Sequence, residues 1–167
     1  LNAEKALAIQ NEALSKLNQF SIELSKLTLE DSMEAIITKR IKDFTGAIGV
    51  IFSEYNPETR TMTPKHIELE SGLLEKIVSI LDKHVHKIHA VVSDYMYHEL
   101  TSCTIRVCNS LSELSFWPVP HSVCITVQAL LKAEKFIEVA YLVEGKLYGT
   151  SLLALGKQQI DPPMEVL

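Results

Sequence analysis

Three cysteines carry the most reactive side chains of the chain: Cys103, Cys108 and Cys124. Thiol catalysis requires a stabilised thiolate, and disulfide redox chemistry requires a second cysteine that resolves the first. Cys103 and Cys108 are not spaced as C-x-x-C, and Arg106 is the one cationic residue near them in sequence. An odd number of cysteines without close pairing favours free thiols in a reducing, cytoplasmic compartment over a disulfide framework.

Histidines form a second group that could do chemistry, in the pattern H-x-H-x-x-H at His84, His86 and His89. His86 and His89 could share one helix face and bind a metal ion weakly. Histidines near the C-terminus of a helix also complement the helix dipole, and we favour this interpretation. The sequence therefore predicts no metal site.

The stretch Tyr97–Thr101, YHELT, superficially resembles the phospho-acceptor box of histidine kinases. In that box a proline follows on a long helix, whereas here Ser102–Thr104 ends the helix. We therefore interpret His98 as a surface residue on a short helix.

Two large aromatic residues, Phe116 and Trp117, lie in a proline-containing loop that we predict over residues 109–120. Such side chains in a loop either form a lid over a ligand pocket or pin the loop to the core. The sequence leaves both interpretations open.

The elements that must position these groups are organised around a predicted hairpin, Phe136–Leu155, with its turn at Glu144-Gly145. Glycine between two apolar runs is a strong hairpin signal, because it tolerates the positive φ of a two-residue turn. Both faces are mostly apolar, so we predict a central position in a sheet. In the predicted register, Leu142 lies opposite Leu147, Tyr141 opposite Tyr148, and Val139 opposite Thr150. The face with the tyrosines suits a pocket, and the face with small residues suits a closely packed helix: Ala140, Gly149 and Ser151.

The first 27 residues contain neither proline nor glycine and are predicted to form a helix. Its apolar residues form a narrow seam of the kind found in coiled coils: Ala3, Leu7, Leu14, Leu17 and Leu24. One interpretation is a surface helix packed on its own core. We favour the other, a connector helix that dimerises, because the first two turns have few apolar residues for burial.

The remaining elements follow from helix caps, periodicity and turn residues. A second helix is predicted from an N-cap at Thr28, in the sequence TLED, to a stop at Gly46. A strand from Ala47 and a weaker strand from Thr61 follow, and Pro64 confines the weaker one to an edge or a bulge. The order of helices and strands predicts an α+β fold, with helices on both faces of a central antiparallel sheet.

Composition limits the classes of partner. The chain has 167 residues, 47% of them hydrophobic, which suits one ordinary globular domain. A net charge of −5 without a basic block argues against nucleic acid. No apolar run approaches the roughly 20 residues that span a bilayer, and the start has no signal-peptide pattern, so we expect no membrane association.

The sequence resembles GAF domains, the small-molecule-sensing modules of signalling proteins. The resemblance lies in SKLTLEDSMEAIITKRIKDFTGAIGVIFSEYNPETRTM, residues 25–62, and in IEVAYLVEGKLYGTSLLAL, residues 137–155. The segment PVPHSVCITVQALLKAEKFIEVAYLVEGKLYGT is similar to GAF domains of archaeal multi-domain sensor histidine kinases. The rival fold, PAS, usually lacks both the long leading helices and a helix just before the closing hairpin.

The resemblance implies a sheet of five or six antiparallel strands and a small-molecule ligand held beneath the middle helices. It implies a connector helix over residues 1–27 and a GAF domain over 28–167, whose closing helix begins at Asp161 and is truncated at Leu167. The expected protein is a non-enzymatic regulatory sensor in the cytoplasm, a homodimer through its N-terminal helix, with a histidine kinase domain downstream. The candidate pocket residues are Tyr141, Tyr148, Val139, Thr150, Trp117, Phe116, His121 and Cys124.

Three alternatives remain within the resemblance. The first is a thiol redox enzyme like the GAF-type methionine sulfoxide reductases, which would use Cys103 and Cys108. The second is a sensor that holds a tetrapyrrole such as haem, because some GAF sensors attach one through cysteine, and Cys124 lies one turn after His121. The third is a purely structural dimerisation module with a filled interior.

Overall fold

Six strands form the centre of the fold, in a computed structural model that describes residues 2–26, 32–70, 72–81, 88–114 and 119–157. The strands in chain order are β1 (Gly49–Asn56), β2 (Thr61–Leu69), β3 (Ala90–Val91), β4 (Ile105–Cys108), β5 (Lys135–Val143) and β6 (Lys146–Leu155). They pair in the order β3-β2-β1-β6-β5-β4, and every pairing is antiparallel. The first and last long strands, β1 and β6, are therefore neighbours in the middle of the sheet.

Helices cover both faces of this sheet. The described helices are α1 (Asn2–Leu24), α2 (Met33–Thr45), α3 (Leu73–Leu81), α4 (Asp94–Ser102) and α5 (His121–Leu131), and a 3-10 turn at Leu111–Glu113 precedes α5. One face, the α2 face, packs against Ile41 of α2 and carries Val50, Ile137, Val139 and Leu153. The other, the α3–α5 face, is covered by α3, α4 and α5 and carries Ile67, Phe136, Ala140, Leu152 and Ala154. The predicted α+β architecture is confirmed.

Helix α2 begins later than the sequence suggests. Its N-cap is Ser32, whose Oγ accepts a hydrogen bond from the amide of Ala35 at 3.2 Å. The prediction of a cap at Thr28 is therefore wrong for this helix, and Thr28 itself lies outside the described residues. The predicted stop is confirmed, because Gly46 adopts the left-handed conformation, with φ of 67°, that favours glycine after a helix.

The hairpin of β5 and β6 turns at Glu144 and Gly145, with φ of 52° and 76°, as predicted. Its register is regular at the turn, where Leu142 lies opposite Leu147, and then shifts by one residue at Tyr148. An extra residue in one strand is a β-bulge, and beyond it every side chain moves to the other face.

This bulge overturns the predicted pairs beyond Leu142. Tyr141 lies opposite Gly149 rather than Tyr148, and Val139 lies opposite Ser151 rather than Thr150. The small residues consequently do not share a face: Ser151 lies on the α2 face, and Ala140 lies with Thr150 on the α3–α5 face.

A second shift occurs where β1 pairs with β2. It lies between Phe52 and Ser53, and Ser53 pairs with Pro64. A bulge at this position confirms the prediction for Pro64, which cannot donate a ladder hydrogen bond. 

Candidate ligand site on the sheet

An apolar cavity of about 40 Å³ lies between the α3–α5 face and helices α3 and α5. Its walls are Gly49, Ile51, Ile67, Leu69, Leu74, Ile77, Leu81, Leu111, Val127, Leu131, Phe136, Leu152 and Ala154. A cavity needs a volume of roughly 10–15 Å³ to hold one water molecule, so this cavity is larger than a single-water site. The cavity admits a small group, and a larger ligand would require the helices to move.

A buried carboxyl group lies in the middle of β5, on the sheet face that carries this cavity but outside the cavity lining. Glu138 is 1% exposed, and neither carboxylate oxygen has a hydrogen-bond partner among the described residues. Leu152, which lines the cavity, lies directly opposite Glu138, and Phe136 is two residues away on the same face. Side chains related in these two ways are neighbours on a sheet surface.

Arg106 is the charged partner of Glu138. The two residues face each other across β4 and β5, and Nη1 lies 3.2 Å from Oε2. Nη1 donates instead to Sδ of Met96, at 3.1 Å, so Arg106 forms an ion pair without a hydrogen bond to Glu138. Burial raises the pKa of Glu138 to about 7, and the charge of Arg106 opposes that rise.

Two further polar residues extend this region across the sheet. Ser53 and Thr150 are both buried and lie opposite each other on β1 and β6. Thr150 pairs on its other side with Ala140, two residues from Glu138. Two apolar clusters lie on the α3–α5 face, one under α3 and α5 and the other under α4. The polar side chains of Glu138, Thr150 and Ser53 lie between them.

The candidate residues named from the sequence do not assemble into one site. Tyr141 lies on the α2 face, with its hydroxyl donating to Ser151 Oγ at 2.9 Å. The ring of Phe52 packs against both tyrosines, with centroid distances of 5.8 Å to Tyr141 and 6.3 Å to Tyr148. Val139 belongs to the same packed face, so Val139 and Tyr141 belong to a core rather than a pocket, whereas Tyr148 is 40% exposed.

Thr150 alone among the four hairpin candidates lies on the α3–α5 face. Cys124 is buried in α5, and its thiol lies 3.6 Å from the carbonyl of Val119, whereas His121 is exposed. These two residues line no common cavity among those described. Phe116 and Trp117 lie outside the described residues, as do His84 and His86.

The thiols offer little for redox catalysis. Burial raises the pKa of Cys108 and of Cys124, which disfavours the reactive thiolate. Cys103 is exposed, and its thiol donates to the carbonyl of Ile105 at 3.1 Å. Within the described ranges, no group of three or more histidine, cysteine, aspartate or glutamate side chains could hold a metal ion.

The sequence analysis missed Glu138 and Arg106. A signal was present, because Glu138 is the single charged residue in the apolar run FIEVAYLV, residues 136–143, of a hairpin predicted to be covered on both faces. A charge at a covered position is rare unless it is paired.

No protein-family model matches the chain, and no curated protein sequence matches it. Solved structures do resemble it. The chromophore-binding domain of Stigmatella aurantiaca phytochrome P1 is 10% identical with a TM-score of 0.63, covering 93% of this chain and 55% of that one. The chromophore-binding domain of an unusual bacteriophytochrome from R. palustris is 10% identical with a TM-score of 0.64, covering 94% and 56%.

The GAF domain of a phosphoenolpyruvate-protein phosphotransferase from Acinetobacter is 12% identical with a TM-score of 0.61, covering 93% of this chain and 83% of that domain. The chain thus spans little more than half the length of the two phytochrome fragments. Likeness at such low identity establishes the fold, which is GAF-like, as the sequence predicted.

Within the described residues, no helix is both long and apolar enough to cross a bilayer.

Proposed function

We propose that this chain is a regulatory sensor module that binds a small ligand on the α3–α5 face of its sheet. The observation that carries this proposal is Glu138, a buried carboxyl group without a hydrogen-bond partner among the described residues, beside an apolar cavity. Ligand sites commonly combine an apolar lining with a few convergent polar groups. The GAF-like fold agrees with this reading, because one of the similar structures is a GAF domain and two are chromophore-binding domains.

Helix α1 is the element that we propose to carry the signal. Leu7 and Leu14, two residues of the predicted seam, are each 58% exposed, whereas Leu17 is half-buried and Phe20 packs on Phe44 with ring centroids 6.4 Å apart. The end of α1 thus rests on α2, while its beginning presents apolar side chains to a partner. A homodimer through α1 would bury them.

The proposed setting is a cytoplasmic signalling protein with a histidine kinase as its output domain, in the manner of archaeal sensor kinases. The support is the sequence resemblance of residues 118–150 and the free cysteines Cys103, Cys108 and Cys124. The module itself would have no catalytic activity, which is consistent with the raised pKa of its two buried thiols.

Native mass spectrometry of protein purified without denaturation tests this function, together with an absorbance spectrum of the same sample. We expect a dimer that carries a constant additional mass, which denaturation releases. A monomer of bare polypeptide mass would contradict both the ligand and the dimer. A Soret band would revive the tetrapyrrole alternative at Cys124 and His121.

A structural dimerisation module is the second candidate, and the small cavity favours it. A volume of about 40 Å³ leaves the interior nearly filled. Neither Tyr141 nor Tyr148 lines a cavity described here, as they would in the pocket that the sequence predicted. A dimer of bare polypeptide mass in the same experiment would support this candidate over the sensor.

A further inference from the structure

The carboxyl group of Glu138 has a chemical requirement that the described residues leave unmet. Both oxygens are inaccessible and accept no hydrogen bond from the described part of the chain. A buried acceptor without a donor has lost its hydrogen bonds to water and gained none in return. This loss destabilises the folded state, and the penalty is larger if the acceptor is charged. Such exceptions in folded proteins call for a specific explanation, and one explanation is a bound group that donates.

The charge balance restricts which donor fits. Arg106 Nη1 lies 3.2 Å from Glu138 Oε2, so the site already holds one positive and one negative charge. A cationic ligand would face Arg106, and an anionic ligand would face Glu138, each in surroundings where charge is poorly solvated. An uncharged donor avoids both penalties.

The cavity restricts the rest of the ligand. Every one of its lining residues is apolar, and Phe136 and Leu152 connect it to Glu138 on the sheet surface. Glu138 does not line the cavity and its oxygens are covered, so a ligand that reaches it must displace α3 and α5 from the sheet. Such a ligand would place its apolar body against these helices and its polar group toward β5. Apolar burial would supply affinity, and the acceptor would supply selectivity.

We propose that the α3–α5 face binds a small, uncharged, mainly apolar ligand that donates an N–H or O–H group to the carboxylate of Glu138. This inference rests on the proposed sensor function and names the class of ligand that the sensor recognises. It also predicts an order of preference that is unusual for an apolar cavity. Between two molecules of the same shape, the hydroxyl compound should bind more tightly than the methyl compound.

Phenol and toluene are suitable probes, because they differ only in a hydroxyl or a methyl group on one ring. Binding would be measured from backbone amide NMR shifts at about pH 8, above the pKa of Glu138 at about 7. We expect phenol to bind about tenfold more tightly than toluene, since hydrogen bonds to charged groups are among the stronger ones. The shifts should centre on Glu138 and on the cavity residues Phe136 and Leu152.

Variants at Glu138 identify the acceptor. In Glu138→Met the preference should reverse in favour of toluene. If that variant does not fold, Glu138→Gln keeps the shape and retains a weaker acceptor, so the preference for phenol should fall severalfold. The matched control is Glu134→Gln, which makes the same change at an exposed position just before β5 and should keep the wild-type preference.

Three results would overturn this inference. Toluene binding as tightly as phenol to the wild type would mean that Glu138 selects nothing, while the sensor function would still stand. Shifts centred away from Glu138 would place the probes elsewhere. Binding of neither probe would exclude this class of ligand, and the native mass of the purified protein would then decide separately whether the module holds any ligand.

Discussion

Arg106 and Glu138 face each other across the edge pair β4 and β5, with Nη1 3.2 Å from Oε2, yet they share no hydrogen bond. The arginine supplies the positive charge that faces this buried carboxyl group. The pair joins the edge strand β4 to its neighbour β5, so we expect its protonation state to affect stability and the proposed ligand binding.

Stability should fall as pH rises through the neutral range, because of Glu138. Its pKa in the folded state is raised to about 7, above the 4.5 of an unperturbed glutamate, so the folded state holds the proton over a wider range than the unfolded state. The stabilisation from that proton is complete below about pH 4.5 and is lost as pH rises through about 7, with a total of roughly 3 kcal/mol. Urea denaturation at a series of pH values measures this loss.

Glu138→Gln should remove that pH dependence, because the amide does not titrate. Glu134→Gln, the exposed control, should leave the dependence as it is in the wild type. Parallel pH profiles for the wild type and Glu138→Gln would show that Glu138 is not the responsible group.

Replacing Arg106 should destabilise the protein mainly at alkaline pH. Arg106→Met leaves the Glu138 carboxylate without its counter-charge, and removing one member of a buried ion pair is strongly destabilising. Because the arginine side chain is 19% exposed, we expect roughly 2 kcal/mol at about pH 8 and less at about pH 5, where Glu138 is protonated. Equal losses at the two pH values would mean that Arg106 acts through packing alone.

The seam of α1 should determine the oligomeric state. Leu7→Lys together with Leu14→Lys places charge at two exposed seam positions and should convert a dimer into a monomer, as measured by light scattering after size-exclusion chromatography. Ile9→Lys is the matched control, because Ile9 is 60% exposed but lies off the seam. A dimer that survives the double substitution would exclude α1 as the contact.

Gly149 should be far less tolerant of a side chain than Gly145. A Cβ atom at Gly149 would lie 2.3 Å from the backbone oxygen of Ser53, so Gly149→Ala must displace β1 from β6 and should cost roughly 2 kcal/mol or more. At Gly145 the space is open, and the left-handed backbone alone should cost about 1 kcal/mol in Gly145→Ala. Thermal unfolding of both variants compares these costs directly, and equal melting temperatures would contradict the close approach at Gly149.

Local signals in the sequence located most of the elements. The turn at Gly145 and the end of α2 at Gly46 depend on residues close together in the chain, and both form where they were predicted. The register of the hairpin could not be obtained in this way. The bulge at Tyr148 places Val139, Tyr141 and Leu153 toward α2, and that arrangement depends on packing between distant parts of the chain.

The candidate site was less predictable than the fold, for the same reason. An aromatic residue in a strand serves a core and a pocket equally well, and Tyr141 is part of the core. The acceptor at Glu138 becomes significant only when its burial and the lack of a donor among the described residues are known, although its charge within an apolar strand is visible in the sequence.

The position of β6 between β1 and β5 also constrains how the chain folds during synthesis. The residues of β1 lie about one hundred positions before their partners in β6, for example Val50 before Leu153. Pairings between such distant segments form slowly, because a long loop must close first. As the ribosome releases the chain, the edge of β1 that pairs with β6 therefore stays open until β6 emerges, and a chaperone that shields this edge would favour the native sheet over aggregation.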